Sequence, residues 1–568
     1  MSDPRQLSES APDVASALDL MLAQAALGPG PRLLPLGSVF AFGKALASRP
    51  RRVASRVGGL GAETLRITLG SSDVAPTKRD KRFTDPAWDD NPLLRRLVQL
   101  YLASSATAEG LAQDVPMEWR DKERVRFAVA NLIEGLSPSN NPLTSPVAWK
   151  AAIDTGGMSA VRGVRNLVRD MSSAPRVPSM VDRSAFVVGK DLAHSAGVVV
   201  LRTPVFELLH YSPTTPQVRA EPLLIVPPTI NKFYVLDLAP ERSVIEHLVA
   251  SGQQVLVMSW RNPDARHSKW GLDTYVQAIL EAMAATREIC GVRRTHVLAA
   301  CSGGLLASMA ASHLQQTDRL DLLASLTLLV TVLDQERAGT TGAIVDEAVA
   351  EAAINASRRK GYLDGKKLAE VFAWLRPQDL IWNYVVNNYL TGRPPPAFDI
   401  LAWNADTTRM TARLHADFIG MSLDNSLVRP GGVAVLGTDV DLQKVTVDSY
   451  IVAGVADHLC PWQSCYRSTQ LLGGESRFVL STSGHIAALV NPPGNPKASF
   501  HATEAPVTPG TDAEAWQAAA QQVKGSWWTD YVQWLTDRSG EPVDAPAELG
   551  SALHSVLEAA PGSYVLDT

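Results

Sequence analysis

The sequence predicts an α/β fold on a mostly parallel sheet, interrupted by an inserted cap and preceded by a mainly helical N-terminal region. Three observations lead there. After Glu221, short apolar runs that end in loops alternate with amphipathic helical stretches, the pattern of βαβ units. Between residue 331 and about 430 the alternation stops, and it resumes afterwards. Before residue 200, apolar residues recur at helical spacing instead. The 568 residues are enough for three to four units of about 150 residues each, or for two compact units and an insertion.

The elements follow in order. LLRRLVQLYLASS (93–105) and VRFAVANLIEGL (125–136) read as helices. Arg49, Arg51, Arg52 and Arg56 form one basic cluster, and Lys78, Arg79, Lys81 and Arg82 another; each reads as a solvated face or as contact with an anionic partner. PLLIVPP (222–228), QQVLVMSW (253–260) and THVLAA (295–300) read as buried strands. ERSVIEHLVASG (241–252), stopped by Gly252, and TYVQAILEAMAATREIC (274–290) read as helices. AIVDEAVAEAAI (343–354) opens the cap as a helix, and 374–409 is rich in aromatics and loops. Strand–helix texture resumes with SYIVAGVAD (449–457), YRSTQLLGG (466–474) and SRFVLSTSGH (476–485), and the tail after 540 reads as loosely ordered. The divisions are 1–200 (N-terminal helices), 201–330 (first part of the core), 331–430 (cap), 431–545 (second part of the core) and 546–568 (tail).

Composition narrows the function. Hydrophobic residues are 46 % and charged residues 20 %, which excludes global disorder. A net charge of −5 gives no basic field for nucleic acid. Four cysteines exclude a disulfide scaffold. No basic segment leads into an apolar signal at the N-terminus, and no run of about 20 apolar residues offers a membrane span, so a cytoplasmic protein is expected.

The chemistry concentrates in HVLAACSGGLLASMAASHL (296–314), where a strand runs into Cys301 and a helix follows two glycines. This is the pattern of a nucleophile elbow, G-x-nucleophile-x-G, with Cys as nucleophile. Gly303 supplies the second glycine, and Ala299 stands at the first. A helix N-terminus favours thiolate over thiol. The bland alternative for Cys301 is a small buried residue. Asp457, 156 residues on, ends a strand, and His485 follows another 28 residues later. Nucleophile, acid and histidine in that order are those of an α/β-hydrolase triad, and the first interval leaves room for a cap. His458, beside the acid, reads as local or supporting; Cys290 as a helix residue; and Cys460 and Cys465 as bland, without zinc spacing. The backbone N–H groups of Ser302 and Ile230, in PPTINKFY (227–234), are the candidate oxyanion donors. No P-loop or G-x-G-x-x-G is present, so no nucleotide cofactor is expected, and no metal.

With these residues in place, the chain resembles the polyhydroxyalkanoate synthases, cysteine-dependent polymerases of 3-hydroxyacyl-CoA thioesters. The resemblance rests on LLIVPPTINKFYVLDL (223–238), VMSWRNPD (257–264), WGLDTY (270–275), AACSGG (299–304), LIWNYVVNNYL (380–390), FDILAWNADTTR (398–409), AGVADHLCPW (453–462) and SGHIAALVNPPGNPK (483–497). It implies an α/β-hydrolase fold with a cap and catalytic Cys301, Asp457 and His485. It also implies a single-subunit enzyme, more like the medium-chain class II than class I, working as a homodimer on cytoplasmic polyester granules. The implied substrate is an (R)-3-hydroxyacyl-CoA, and the partner a growing polyester. Ala299, where the family has glycine, bears on turnover rate and not on any reacting group. Trp374, Trp382, Tyr384 and Trp403 read as a wall that excludes water and guides the chain, or equally as plain cap packing. A thioesterase or polyester hydrolase with the same triad, and an inactive granule scaffold, remain as alternatives, since only the fate of the acyl-enzyme separates the first of them from a polymerase.

Overall fold

The computed structural model describes residues 22, 25–26, 36–78, 80–336, 347–375, 377–457 and 459–568. The N-terminal region is helical: α1 (Leu36–Ser48), α2 (Pro50–Leu69), α3 (Ala87–Asp90), α4 (Pro92–Asp114), α5 (Trp119–Gly135), α6 (Pro146–Asp154) and α7 (Met158–Met171). Asn91 caps α4 by accepting from the N–H groups of Leu93 and Leu94, and Pro92 fits the first turn, where no N–H is needed. The basic clusters are partly paired within this region: Arg56 with Asp114 at 2.8 Å and Arg82 with Asp80 at 2.7 Å. Arg79 lies outside the described residues.

The core sheet has eleven strands. In chain order the first are β1 (Gly197–Arg202), β2 (Phe206–Tyr211), β4 (Leu223–Val226), β5 (Val255–Trp260), β6 (Thr295–Ala300) and β7 (Leu323–Leu329). They are followed by β12 (Ser449–Gly454), β13 (Ser476–Ser481), β14 (Ser499–Ala502), β15 (Gln521–Lys524) and β17 (Glu558–Ala559). The short β3 (Gln217–Arg219) lies outside this sheet, as do β8 (Tyr362–Leu363), β9 (Met410–Thr411), β10 (Ala434–Val435) and β11 (Thr438–Asp439), which fall between β7 and β12. The central order β13-β12-β7-β6-β4-β5 is parallel throughout, with antiparallel strands on either side. Parallel strands are covered on both faces, so they read as unbroken apolar runs. Every residue of β4, β6 and β12 is buried. Each Val or Leu in them contributes about 1.5–3 kcal/mol by leaving water.

Helices connect these strands. α8 (Val244–Ala250) and α9 (Leu272–Cys290) lie on either side of β5 in sequence, α10 (Ser302–Gln316) follows β6, and α9 ends on Gly291 at φ 64°. Between β7 and β12 come α11 (Glu347–Lys360), α12 (Gly365–Leu375), π-helical turns at Gln378–Trp382 and Val385–Leu390, α13 (Asp399–Ala405) and α14 (Ala412–Asp424). Of the helix expected at 343–354, residues 343–346 lie outside the described residues and the rest lies in α11. α7 lies against the second π-helical turn. Asn166 Nδ2 donates to the Asn388 carbonyl at 3.0 Å, and a Cβ at Gly163 would fall 1.9 Å from the Tyr389 oxygen.

After β12 come α15 (Trp462–Leu471), α16 (His485–Leu489), α17 (Ala513–Ala519) and α18 (Trp527–Thr536). α18 packs an aromatic group under β12, with Tyr450 and Tyr531 ring centroids 4.9 Å apart. Trp527 and Trp528 donate their indole N–H groups to the carbonyls of Ala488 and Leu489, at 2.8 and 3.0 Å. Those bonds fix the far end of the short helix that begins with His485.

The tail departs from expectation. It pairs as β16 (Pro542–Asp544) with β3 and as β17 with the edge strand β1. The Tyr564 N–H donates to buried Glu207 at 2.9 Å, and Lys232 Nζ donates to the carbonyls of Val565 and Asp567. The segment has no apolar periodicity of its own. Its order comes from backbone groups that satisfy an open sheet edge and a buried lysine, and such partners leave no mark in local sequence.

Candidate active site

The elbow begins where β6 stops. The Cys301 N–H donates to the Leu329 carbonyl of β7 at 2.9 Å, and Cys301 then turns to φ 50°, ψ −120°. A non-glycine residue there stores about 1–3 kcal/mol of strain, and surrounding packing must hold it. Gly303 shows how tight that packing is: a Cβ on it would lie 2.4 Å from the Pro227 carbonyl oxygen at the end of β4. Ser302 ties the same loop down, its Oγ accepting from the Thr229 N–H at 2.9 Å. Ala299 is fully buried, in register between Val226 of β4 and Leu328 of β7, so its methyl belongs to the sheet core and not to the reacting groups.

Asp457 and His485 leave the ends of β12 and β13. Asp457 is buried, and all its hydrogen bonds have one purpose, positioning. Oδ1 accepts from the N–H groups of Leu459 and Cys460 at 2.8 and 2.9 Å, and Oδ2 accepts from His485 Nδ1 at 2.7 Å. With Nδ1 engaged, Nε2 is left for the sulfur. A ring nitrogen of His485 and the sulfurs of Cys301 and Cys460 all lie within 4.8 Å of one another. The Cys301 thiol is held well below the ordinary thiol range. A hydrogen bond from Cys460 acts most strongly, burial opposes, and hydrogen bonding and charge from His485 add to the lowering. For His485, burial disfavours the imidazolium, but the Asp457 carboxylate and the Cys301 sulfur outweigh it and raise the ring's pKa. Both shifts favour the thiolate–imidazolium form of the pair. Cys460 moves the other way, its thiol kept protonated by the Cys301 sulfur beside it and by burial.

Cys301 and His485 share a cavity of about 390 Å³. Ile230, Val235, Leu380, Ile400, Leu401 and Leu489 contribute its apolar wall. Trp403 closes one side and donates its indole N–H to the Lys232 carbonyl at 2.8 Å, joining α13 to the loop after β4.

Comparison with known proteins now has a site to refer to. Residues 79–248 match the family described as "Poly-beta-hydroxybutyrate polymerase (PhaC) N-terminus", and residues 222–492 match "alpha/beta hydrolase fold". Poly(3-hydroxyalkanoate) polymerase 2 of Ectopseudomonas oleovorans is 45 % identical over 518 residues, 91 % of this chain and 92 % of its own. The chain belongs to the poly(3-hydroxyalkanoate) polymerase family. Polymerase 1 of the same organism is 46 % identical over 91 % of this chain and 92 % of its own. The polymerase subunit PhaC of Cupriavidus necator is 39 % identical over 87 % and 84 %. Among solved structures, a thermophilic esterase from Thermogutta terrifontis matches at 14 % identity and TM-score 0.31, over 52 % of this chain and 92 % of that one. The protein is thus an acyltransferase that makes poly(3-hydroxyalkanoate).

Of the residues singled out in the sequence, this polymerase brings Cys301, Ser302, Asp457, His485 and Ile230 together around one cavity or its supporting bonds. His458 lies outside the described residues. Cys290 sits at the end of α9, and Cys465 is buried behind Cys460, its thiol directed at the Cys460 carbonyl at 3.7 Å. Two readings are settled between their alternatives. Of the four aromatics, only Trp403 lines the cavity. Trp374 and Trp382 pack instead around Val177, Ala373 and Ile381, because the π-helical turns face the N-terminal helices. Cys460 is not bland, since it contacts the nucleophile. The turn in which Asp457 accepts from the Leu459 and Cys460 N–H groups carries Cys460 back to the site, and no local spacing announces that contact.

Proposed function

We propose that the polymerase works through a Cys301 acyl-enzyme. The Cys301 thiolate attacks the carbonyl carbon of an (R)-3-hydroxyacyl-CoA. The carbon–sulfur bond to CoA breaks, and the leaving thiolate takes the proton of the His485 imidazolium. Exchange of one thioester for another keeps the acyl group activated. Neutral His485 then accepts the proton of a 3-hydroxyl as that oxygen attacks the thioester, forming an ester and freeing the Cys301 sulfur. Asp457 holds the ring's orientation and stabilises its charged form. The N–H groups of Ser302 and Ile230 receive the developing oxyanion.

The observation that carries this reading is the contact between sulfur and imidazole on the wall of an apolar cavity, with Asp457 at 2.7 Å on the far side of the ring. The apolar wall suits an alkyl side chain, in keeping with a preference for medium-chain monomers. Incubation with (R)-3-hydroxyacyl-CoA thioesters of graded length tests it. Free CoA with recovered polymer is expected, highest for medium chains, with a Cys301-linked acyl adduct in mass spectra of quenched enzyme. Free CoA with only soluble hydroxy acid would instead make this chain a hydrolase.

The polymerase acts at the granule surface, as a homodimer, and the N-terminal helices make the surface contact. Val161, Val164 and Val168 on α7 are 60, 61 and 63 % exposed, and Trp149 and Ile153 on α6 are exposed as well. Apolar rows of this kind suit a hydrophobic polymer surface. Among the described residues no helix is long and apolar enough to cross a membrane. Sedimentation of the purified chain with and without polymer tests both the assembly and the attachment.

A further inference from the structure

We infer that Cys301, Cys460 and His485 form a binding site for a thiophilic divalent cation, zinc above all, which closes the active site reversibly. The two sulfurs and a ring nitrogen lie within 4.8 Å of one another. In a tetrahedral zinc site, bonds of about 2.3 Å to sulfur and 2.0 Å to nitrogen put the ligand atoms about 3.5–3.8 Å apart. Shifts of about 1 Å or less therefore complete three corners. The spacing of Cys460 and Cys465 offers no such site, because the partner of Cys460 is the nucleophile from another strand.

Three further features point to a metal. His485 is already arranged as a ligand: Asp457 accepts from Nδ1 at 2.7 Å, leaving Nε2 for coordination. A carboxylate behind a coordinating histidine is the usual support of bound zinc. Cys460 is held in place as well, because its N–H donates to Asp457 at 2.9 Å, so one carboxylate positions two of the three ligands. The fourth corner faces the cavity, which has room for water or a small thiol.

The charges also balance. Cys301 and His485 hold one proton between them, and the Cys460 thiol carries another. Binding of the cation forms two zinc–sulfur bonds and one zinc–nitrogen bond and releases two protons, one from the Cys301–His485 pair and one from Cys460. The metal with its two thiolates is then neutral, which suits an apolar surround. The nucleophile is occupied and the proton acceptor is blocked, so acyl transfer stops until a chelator removes the ion. This role goes beyond the acyl-enzyme reading and does not depend on it, since binding is a property of the three ligand atoms.

The test uses the full-length chain, reduced with a phosphine that does not bind metal. Zinc chloride titrated by calorimetry in buffers of different ionisation enthalpy should give one ion bound per chain and two protons released. CoA release should vanish and return with EDTA. Cobalt chloride should give a tetrahedral visible spectrum with a near-ultraviolet thiolate-to-cobalt band. Cys460→Ser should weaken zinc binding by more than about 100-fold, and Asp457→Asn by about 10–100-fold. Cys290→Ser, a change remote from the cluster, should keep stoichiometry and spectrum, and near-ultraviolet circular dichroism establishes that each variant is folded. Equal zinc affinity in the parent and a folded Cys460→Ser variant would overturn the inference, and so would an octahedral cobalt spectrum. Loss of CoA release in Cys301→Ala without any metal binding by the parent sinks this inference alone. Metal binding by the parent together with full turnover in Cys301→Ala sinks the acyl-enzyme reading alone.

Discussion

The parallel centre of the sheet and the N-terminal helices treat their apolar residues in opposite ways. In β4, β6 and β12 every side chain is buried, and the loops at the ends of these strands carry the reacting groups. On α6 and α7, valine, isoleucine and tryptophan side chains point outward, while Gly163 and Asn166 face the rest of the chain. The first region spends its hydrophobicity on holding a strained cysteine and an aligned histidine. The second leaves part of it exposed. A catalytic site needs rigid support, because a shift of about 1 Å in a reacting atom can cost about a hundredfold in rate. A surface that meets a polymer needs only area.

Substitutions break or sharpen this contrast, and the largest effects belong to the sheet. Cys301→Ala should lower CoA release by more than about 10⁴-fold with the melting temperature nearly unchanged, read by a thiol assay and by calorimetry. Asp457→Asn should cost about 10²–10⁴-fold. It should also move the pH dependence of Cys301 alkylation by iodoacetamide. In the parent, the lowered thiol pKa keeps the thiolate present as pH falls below the ordinary value of about 8.5. Reactivity is lost only when pH drops through that lowered value. Without the carboxylate the imidazolium is weaker, so the inflection moves up. An unmoved inflection would mean that Cys460 alone holds the thiolate.

Gly303→Ala comes next. The added methyl meets the Pro227 carbonyl, so about 1–3 kcal/mol of stability and most of the turnover should go together, read by urea unfolding and the same assay. On the other side of the comparison, changing Val161, Val164 and Val168 together to Glu should leave turnover on soluble substrate and thermal stability nearly untouched. Co-sedimentation with granules should fall by about tenfold or more as buried apolar area is lost. A fall in stability instead would mean that these side chains already pack within the chain. The smallest effect is expected at Ala299→Gly, with about 0.5–1 kcal/mol lost from strand stiffness and turnover within about twofold.

Much of the core was legible in residue patterns. Runs such as PLLIVPP, QQVLVMSW and THVLAA became β4, β5 and β6 because strands buried on both faces are mostly apolar, with Thr295 and His296 admitted where hydrogen bonds to the Pro222 carbonyl and the Ser325 hydroxyl satisfy them. Cys301, Asp457 and His485 were legible because the order of the three residues and their places at strand ends reflect the topology itself. Less legible were contacts made by groups with no pattern of their own. The tail is ordered by the Lys232 ammonium and the edge of β1. Trp374 and Trp382 face away from the cavity because the π-helical turns pack on N-terminal helices that are distant in sequence.

The amino-acid order by itself determined the strands, the elbow, the candidate nucleophile, acid and base, and the family, because periodicity and motif spacing are local and survive in one dimension. Only the tertiary structure decided that Cys460 lies against Cys301, which apolar residues form the cavity wall, and that the last residues are held. Those outcomes depend on which groups from separate strands and helices arrive within a few ångströms of each other, and that distance is set by packing.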